Sequence, residues 1–95
     1  MPEVRFTIRW PDGKAEVCYS PSSVIREHLE AGRSYPITEF RDRARTALSI
    51  ASDRVRAKYG FPCSRALGQI ERIEAACADF DDAADAGVGI ISFQE

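Results

Sequence analysis

Ninety-five residues with 44% hydrophobic content are enough for one domain with its own core. A formal charge of −2 and 29% charged residues argue against a globally basic nucleic-acid binder. No apolar run approaches the roughly 20 residues of a membrane span, and the opening MPEVRFTIRW lacks the unbroken apolar segment of a secretory signal, so a cytoplasmic protein is expected.

In chain order, Val4, Phe6, Ile8 and Trp10 alternate with Glu3, Arg5, Thr7 and Arg9, the period of a strand with one buried face. Asp12-Gly13 reads as a two-residue hairpin turn. That turn sets Trp10 opposite Ala15, Ile8 opposite Val17 and Phe6 opposite Tyr19 on the core side, with Arg9 opposite Glu16 and Thr7 opposite Cys18 outside. Ser20-Pro21 then signals a helix start, and a short helix is expected to about Ala31, closed by Gly32. Residues 33–37 (RSYPI) read as a loop.

Thr38 is placed to cap the longest helix, about Glu39 to Lys58, whose stripe of Phe40, Ala44, Ala47, Leu48, Ala51 and Val55 recurs at spacings of three and four. A third helix, about Ser64 to Phe80, buries Ala66, Ile70, Ile73, Cys77 and Phe80, and the YGFP junction makes the pair an αα-hairpin. The acidic segment 81–87 links to VGIISF, a strand expected to join the hairpin. The whole is a single α+β domain, 1–95, of ββαααβ order: a small sheet packed on a short helix and a long helical hairpin.

Three cysteines at wide spacing form no CxxC pair, and the single histidine has no second one to share a metal with. Cys63 stands near a helix N-terminus, where a thiol can be activated. No base is near it in sequence, and packing is the stronger reading. Cys77 belongs to the core stripe, and Cys18 is expected on the outer face of the hairpin. His28 reads as a helix-side residue at the core margin, with general base as the alternative. Tyr35, with Trp10 and Tyr19, is able to line an apolar groove.

No glycine-rich phosphate loop, nucleotide fingerprint or catalytic motif appears, so no cofactor is expected and an enzyme is disfavoured. Charge is divided along the chain. The long helix carries Arg41, Arg43, Arg45, Arg54, Arg56 and Lys58, whereas the last third is acidic. Salt bridges between the two long helices are the plainest use of this division. Self-association through a face containing Arg41, Arg45 and Arg56 is the functional one, and nucleic-acid binding comes last.

The stretches RWPDG, CYSPS, SYP, RTALSIASDRVRAKYGF and ISF resemble a family of small bacterial proteins named for a nitrogen-starvation response, from Met1 to Phe93. The resemblance implies an accessory role in nitrogen metabolism, beside a nitrilase, a radical SAM protein and an acetyltransferase-like protein encoded nearby. It carries no catalytic residues with it. The expected function is a non-enzymatic regulatory or interaction protein, self-associating or bound to a neighbouring enzyme. The alternative is a small-molecule binder or minor enzyme with Cys63, His28 or Tyr35 at its pocket rim.

Overall fold

The computed structural model describes residues 3–80 and 87–95. Strand β1 (Val4–Arg9) pairs antiparallel with β2 (Ala15–Ser20) on one side and with β4 (Gly87–Gln94) on the other. A three-residue strand, β3 (Ser34–Pro36), completes the sheet in the order β2-β1-β4-β3. Helices α1 (Ile25–His28), α2 (Ile37–Tyr59) and α3 (Ser64–Ala78) lie between β2 and β4 in sequence. The C-terminal strand therefore joins the hairpin, and the sheet packs on a short helix and a long helical hairpin, as expected.

One face of the sheet builds the core. Val4, Phe6, Ile8 and Trp10 of the β1 segment meet Phe40, Ala44, Ala47 and Leu48 of α2, all buried. The other face carries the exposed residues Arg5, Arg9 and Val17. The alanines on the α2 stripe let α3 approach closely, and Ala66, Ile73, Ala76 and Cys77 seal the contact.

The hairpin register differs from the expected one by a single residue. Arg9 pairs with Ala15, Ile8 with Glu16 and Phe6 with Cys18. The cause is Pro11. A two-residue loop needs the N–H of the residue before Asp12, which proline lacks. The chain instead forms a three-residue loop over Pro11-Asp12-Gly13. The Gly13 N–H donates to the Trp10 carbonyl at 2.9 Å, and the Trp10 N–H to the Lys14 carbonyl at 2.8 Å. Gly13 takes the left-handed conformation (φ 89°) that this loop requires. One residue of slip exchanges the faces of a strand. Cys18 is consequently buried rather than exposed, Val17 points outward, and Glu16 turns to the Trp10 indole in place of Arg9.

Two more segments depart from expectation. The helix after Pro21 shrinks to α1, because serines bind the backbone locally. The Ser20 hydroxyl donates to the Ser22 carbonyl at 2.7 Å, and the Ser22 hydroxyl accepts from the Val24 N–H at 3.3 Å. Residues 34–36 form a strand rather than a loop, since β4 offers them a free edge. The Gly32 N–H donates to the Ile90 carbonyl, and the Ile90 N–H to the Arg33 carbonyl, leading the chain into β3.

Helix α2 begins directly after Pro36 with no side-chain cap, so Thr38 is inside the helix. It ends at Gly60 (φ 87°), whose N–H donates to the Arg56 carbonyl at 2.8 Å. A Cβ at Gly60 meets nothing within 4 Å, so substitution strains only the backbone. Gly60→Ala is expected to cost about 1 kcal/mol, read as a lower urea midpoint with an unchanged slope. The expected α3 terminus at Phe80 falls two residues earlier. The acidic linker, apart from Gly87, lies outside the described residues.

Candidate functional site

The structure divides the sequence-predicted site residues among three places. His28 and Tyr35 meet in a cleft of about 380 Å³ between α1, the start of β3 and the first turns of α2. The Tyr35 ring is buried and its hydroxyl accepts the Glu30 N–H at 2.9 Å. The guanidinium carbons of Arg33 and Arg43 lie 4.9 and 5.0 Å from the centre of that ring. Arg43 also donates to the His28 carbonyl at 3.1 Å and to Glu39 at 3.2 Å. On the same cleft, Arg26 stands 5.4 Å from the Phe93 ring centre and pairs with Glu95 at 3.1 Å.

Cys63 lies elsewhere. It follows the α2 terminus, about 25 Å along the helix from Arg43 at 1.5 Å per residue, and lines a groove of about 400 Å³ with Tyr19, Pro21, Val55 and Tyr59. Its N–H donates to the Ser52 hydroxyl at 3.3 Å, which fixes the corner. The Arg65 guanidinium sits 3.9 Å over the Tyr19 ring. Burial pushes the Tyr19 phenol above its ordinary pKa, and the Arg65 charge opposes that rise. Cys63 and His28 thus flank opposite ends of α2 and do not form a nucleophile–base pair.

The predicted arginines run along one side of α2. Arg41 and Arg45 are one turn apart, and Arg56 follows three turns later. Arg45 bridges to Glu74 of α3 at 2.8 Å, and Arg41 lies 3.8 Å from Asp42. Arg56 is exposed beside Tyr59 and Phe61, whose side chains remain 59% and 65% exposed. Across the fold Arg72 grips Glu16 at 2.8 Å, a hydrogen bond that holds the arginine firmly in its charged form.

Among the described residues no group of three or more His, Cys, Asp or Glu side chains is placed to hold a metal. None of their helices is long and apolar enough to cross a membrane. The family described as nitrogen starvation-induced protein NitG matches residues 5–93. The chain belongs to the NitG family. No curated protein and no solved structure matches it.

The NitG-family match spans all the described strands and helices apart from the end residues Val4 and Gln94, so the cleft lining, the corner and all of the groove lining except Glu3 fall within it. Sequence reasoning missed Arg26 and Arg33, and gave Arg43 to the helix face rather than to a cleft. One signal was present. Arg33 and Tyr35 are two apart, and in an extended segment such residues share a face. The partnership of Arg26 with Phe93 had no local signal, because the two are 67 positions apart.

Proposed function

We propose that this NitG-family chain is a non-enzymatic accessory protein of the nitrogen-starvation response that works in the cytoplasm by surface contact. Its contact surface is the corner between α2 and α3, and its occupant is a second copy of the chain. The observation that carries this reading is the pair Tyr59 and Phe61, both more than half exposed on a chain whose other phenylalanines are buried or half-buried. Exposed Arg56, Lys58 and Arg65 lie within four residues of them along the chain, and the Lys58 ammonium stands 5.5 Å from the Tyr59 ring centre. Aromatic anchors ringed by arginine are the composition of protein interfaces.

The second copy supplies complementary charge. Glu71 of α3 and Asp79 just past its end are exposed, and the acidic residues cluster in the last third of the sequence. An antiparallel arrangement of two α3 helices brings the basic corner of each to the acidic end of the other, a self-complementary two-fold contact. The separation of Cys63 from His28 supports a role without covalent catalysis.

Sedimentation velocity at several salt concentrations tests the proposal. The wild-type chain is expected to dimerise at low salt and to weaken as salt screens the charges. Phe61→Ser is expected to raise the dimer dissociation constant about tenfold or more. A wild-type chain that stays monomeric throughout removes the self-association reading. Dimers unaffected by Phe61→Ser would place the interface elsewhere.

A further inference from the structure

We infer that Phe61 at the α2–α3 corner seats in a recess at the far end of the partner's α3, with Arg65 meeting the partner's Asp79. This rests on the self-association reading above and assigns the receiving site for its aromatic anchor.

The recess lies where β2 begins and α3 ends, and its volume is about 230 Å³. A cavity of about 150 Å³ admits benzene, so the ring of Phe61 is within its capacity. Trp10 and Ala76 are buried beneath it, and exposed Ala15 and half-buried Phe80 supply accessible apolar surface. Trp10 and Phe80 already stack at 5.9 Å with 15° between their planes, so a further ring extends an existing aromatic cluster.

Corner and recess carry opposite charges that the fold itself does not use. Among the described residues Arg56, Lys58 and Arg65 form no ion pair, and Arg65 is engaged only over the Tyr19 ring at 3.9 Å. At the recess, Asp12 accepts the Lys14 backbone N–H at 2.9 Å, and neither Asp12 nor exposed Asp79 has an ion pair among the described residues. Glu16 and Arg72 satisfy each other at 2.8 Å. Asp12 and Asp79 therefore outweigh Lys14 on the rim, which is negative where the corner is positive.

The spacing along α3 brings these charges together. Arg65, Gln69, Arg72, Ala76 and Asp79 recur at intervals of four and three, on one side of the helix. That side runs along β2: Arg65 covers Tyr19, Gln69 accepts the Tyr19 N–H at 3.0 Å, and Arg72 holds Glu16. Arg65 and Asp79 thus lie on one flank at opposite ends of a helix roughly 20 Å long. When two such helices run antiparallel, each Arg65 faces the partner's Asp79 and the contact is made twice, as a two-fold requires. The midpoint is Arg72, and its pairing with Glu16 keeps two bare arginines from meeting at the axis.

A charge exchange between chains tests the assignment. Arg65→Glu places an anion in the first turn of α3, and Asp79→Arg places a cation at its end. Both suit the helix dipole, so both variants are expected to fold. Each alone is expected to raise the dimer dissociation constant about tenfold at low salt, read by sedimentation velocity. Mixed in equal amounts, they form heterodimers with one native and one exchanged pair. Association is expected to return at concentrations where each variant alone is monomeric. Ala15→Tyr fills the recess from an exposed strand position and is expected to weaken the dimer about tenfold as well. Glu27→Arg, the charge change of Asp79→Arg placed on α1, is expected to dimerise like wild type.

A wild-type dimer that Phe61→Ser weakens but Ala15→Tyr does not overturns the recess and leaves self-association standing. A mixture of Arg65→Glu and Asp79→Arg that associates no better than its parts overturns the antiparallel pairing. A wild-type chain monomeric at every concentration removes the self-association reading and this inference together.

Discussion

Trp10→Ala is expected to lower the unfolding free energy by about 3–5 kcal/mol, a third or more of the total for many domains of this size. Trp10 is 5% exposed at the end of β1, where the sheet meets both long elements of the helical layer. Its ring stands edge-on to Phe40 of α2 at 5.8 Å and stacks on Phe80, just past α3, at 5.9 Å. Removing the indole opens a cavity between three elements that cannot close without moving a helix. The loss is one of packing rather than of a stranded charge, because Glu16 keeps Arg72 when the indole N–H is gone.

Trp10→Phe separates these contributions. It retains most of the ring contact and gives up the 3.1 Å hydrogen bond to Glu16, so a loss of only about 1 kcal/mol is expected beyond the packing change. Urea unfolding followed by far-UV circular dichroism reads both, since the only tryptophan is lost as a fluorophore. A Trp10→Ala protein within about 1 kcal/mol of wild type would show that the ring does not join the layers.

The same residue shows what was legible. The alternation of β1 is enough to place Trp10 in the core, because the period of a half-buried strand depends only on its own residues. The α2 stripe was legible for the same reason. What the sequence hid were pairings. Asp12-Gly13 suggested one loop, and Pro11, by lacking a donor, required another that shifted β2 by one residue. Strand β3 has three residues and ends in proline, too few for a period to show. It exists because β4, over 50 positions later, presents an edge to it. The Tyr35 cleft draws on α1, β3 and α2, and its arginines acquire their aromatic neighbours only through folding. Candidate residues were therefore individually visible, and their grouping was not.

The register shift has a consequence measurable in alkali. With Cys18 turned inward, burial pushes its thiol from 9.0 up to about 12, with the Glu16 carboxylate adding to the rise and Arg72 opposing it. In the unfolded chain the thiol ionises near 9, whereas the folded chain keeps its proton. Between those values the unfolded state binds fewer protons, so stability falls as pH rises. The slope approaches about 1.4 kcal/mol per pH unit. Well below pH 9 this group contributes no slope. Cys18→Ala removes the effect at the cost of a small cavity. The stability advantage of wild type over Cys18→Ala is therefore expected to shrink by about 2 kcal/mol between roughly pH 8 and pH 10.5. Tyr19, also raised by burial, titrates in both proteins and cancels in the difference. A gap that stays constant with pH would mean that Cys18 faces solvent, as the two-residue loop required. The alkaline slope thus tests in solution the single-residue displacement that Pro11 imposes.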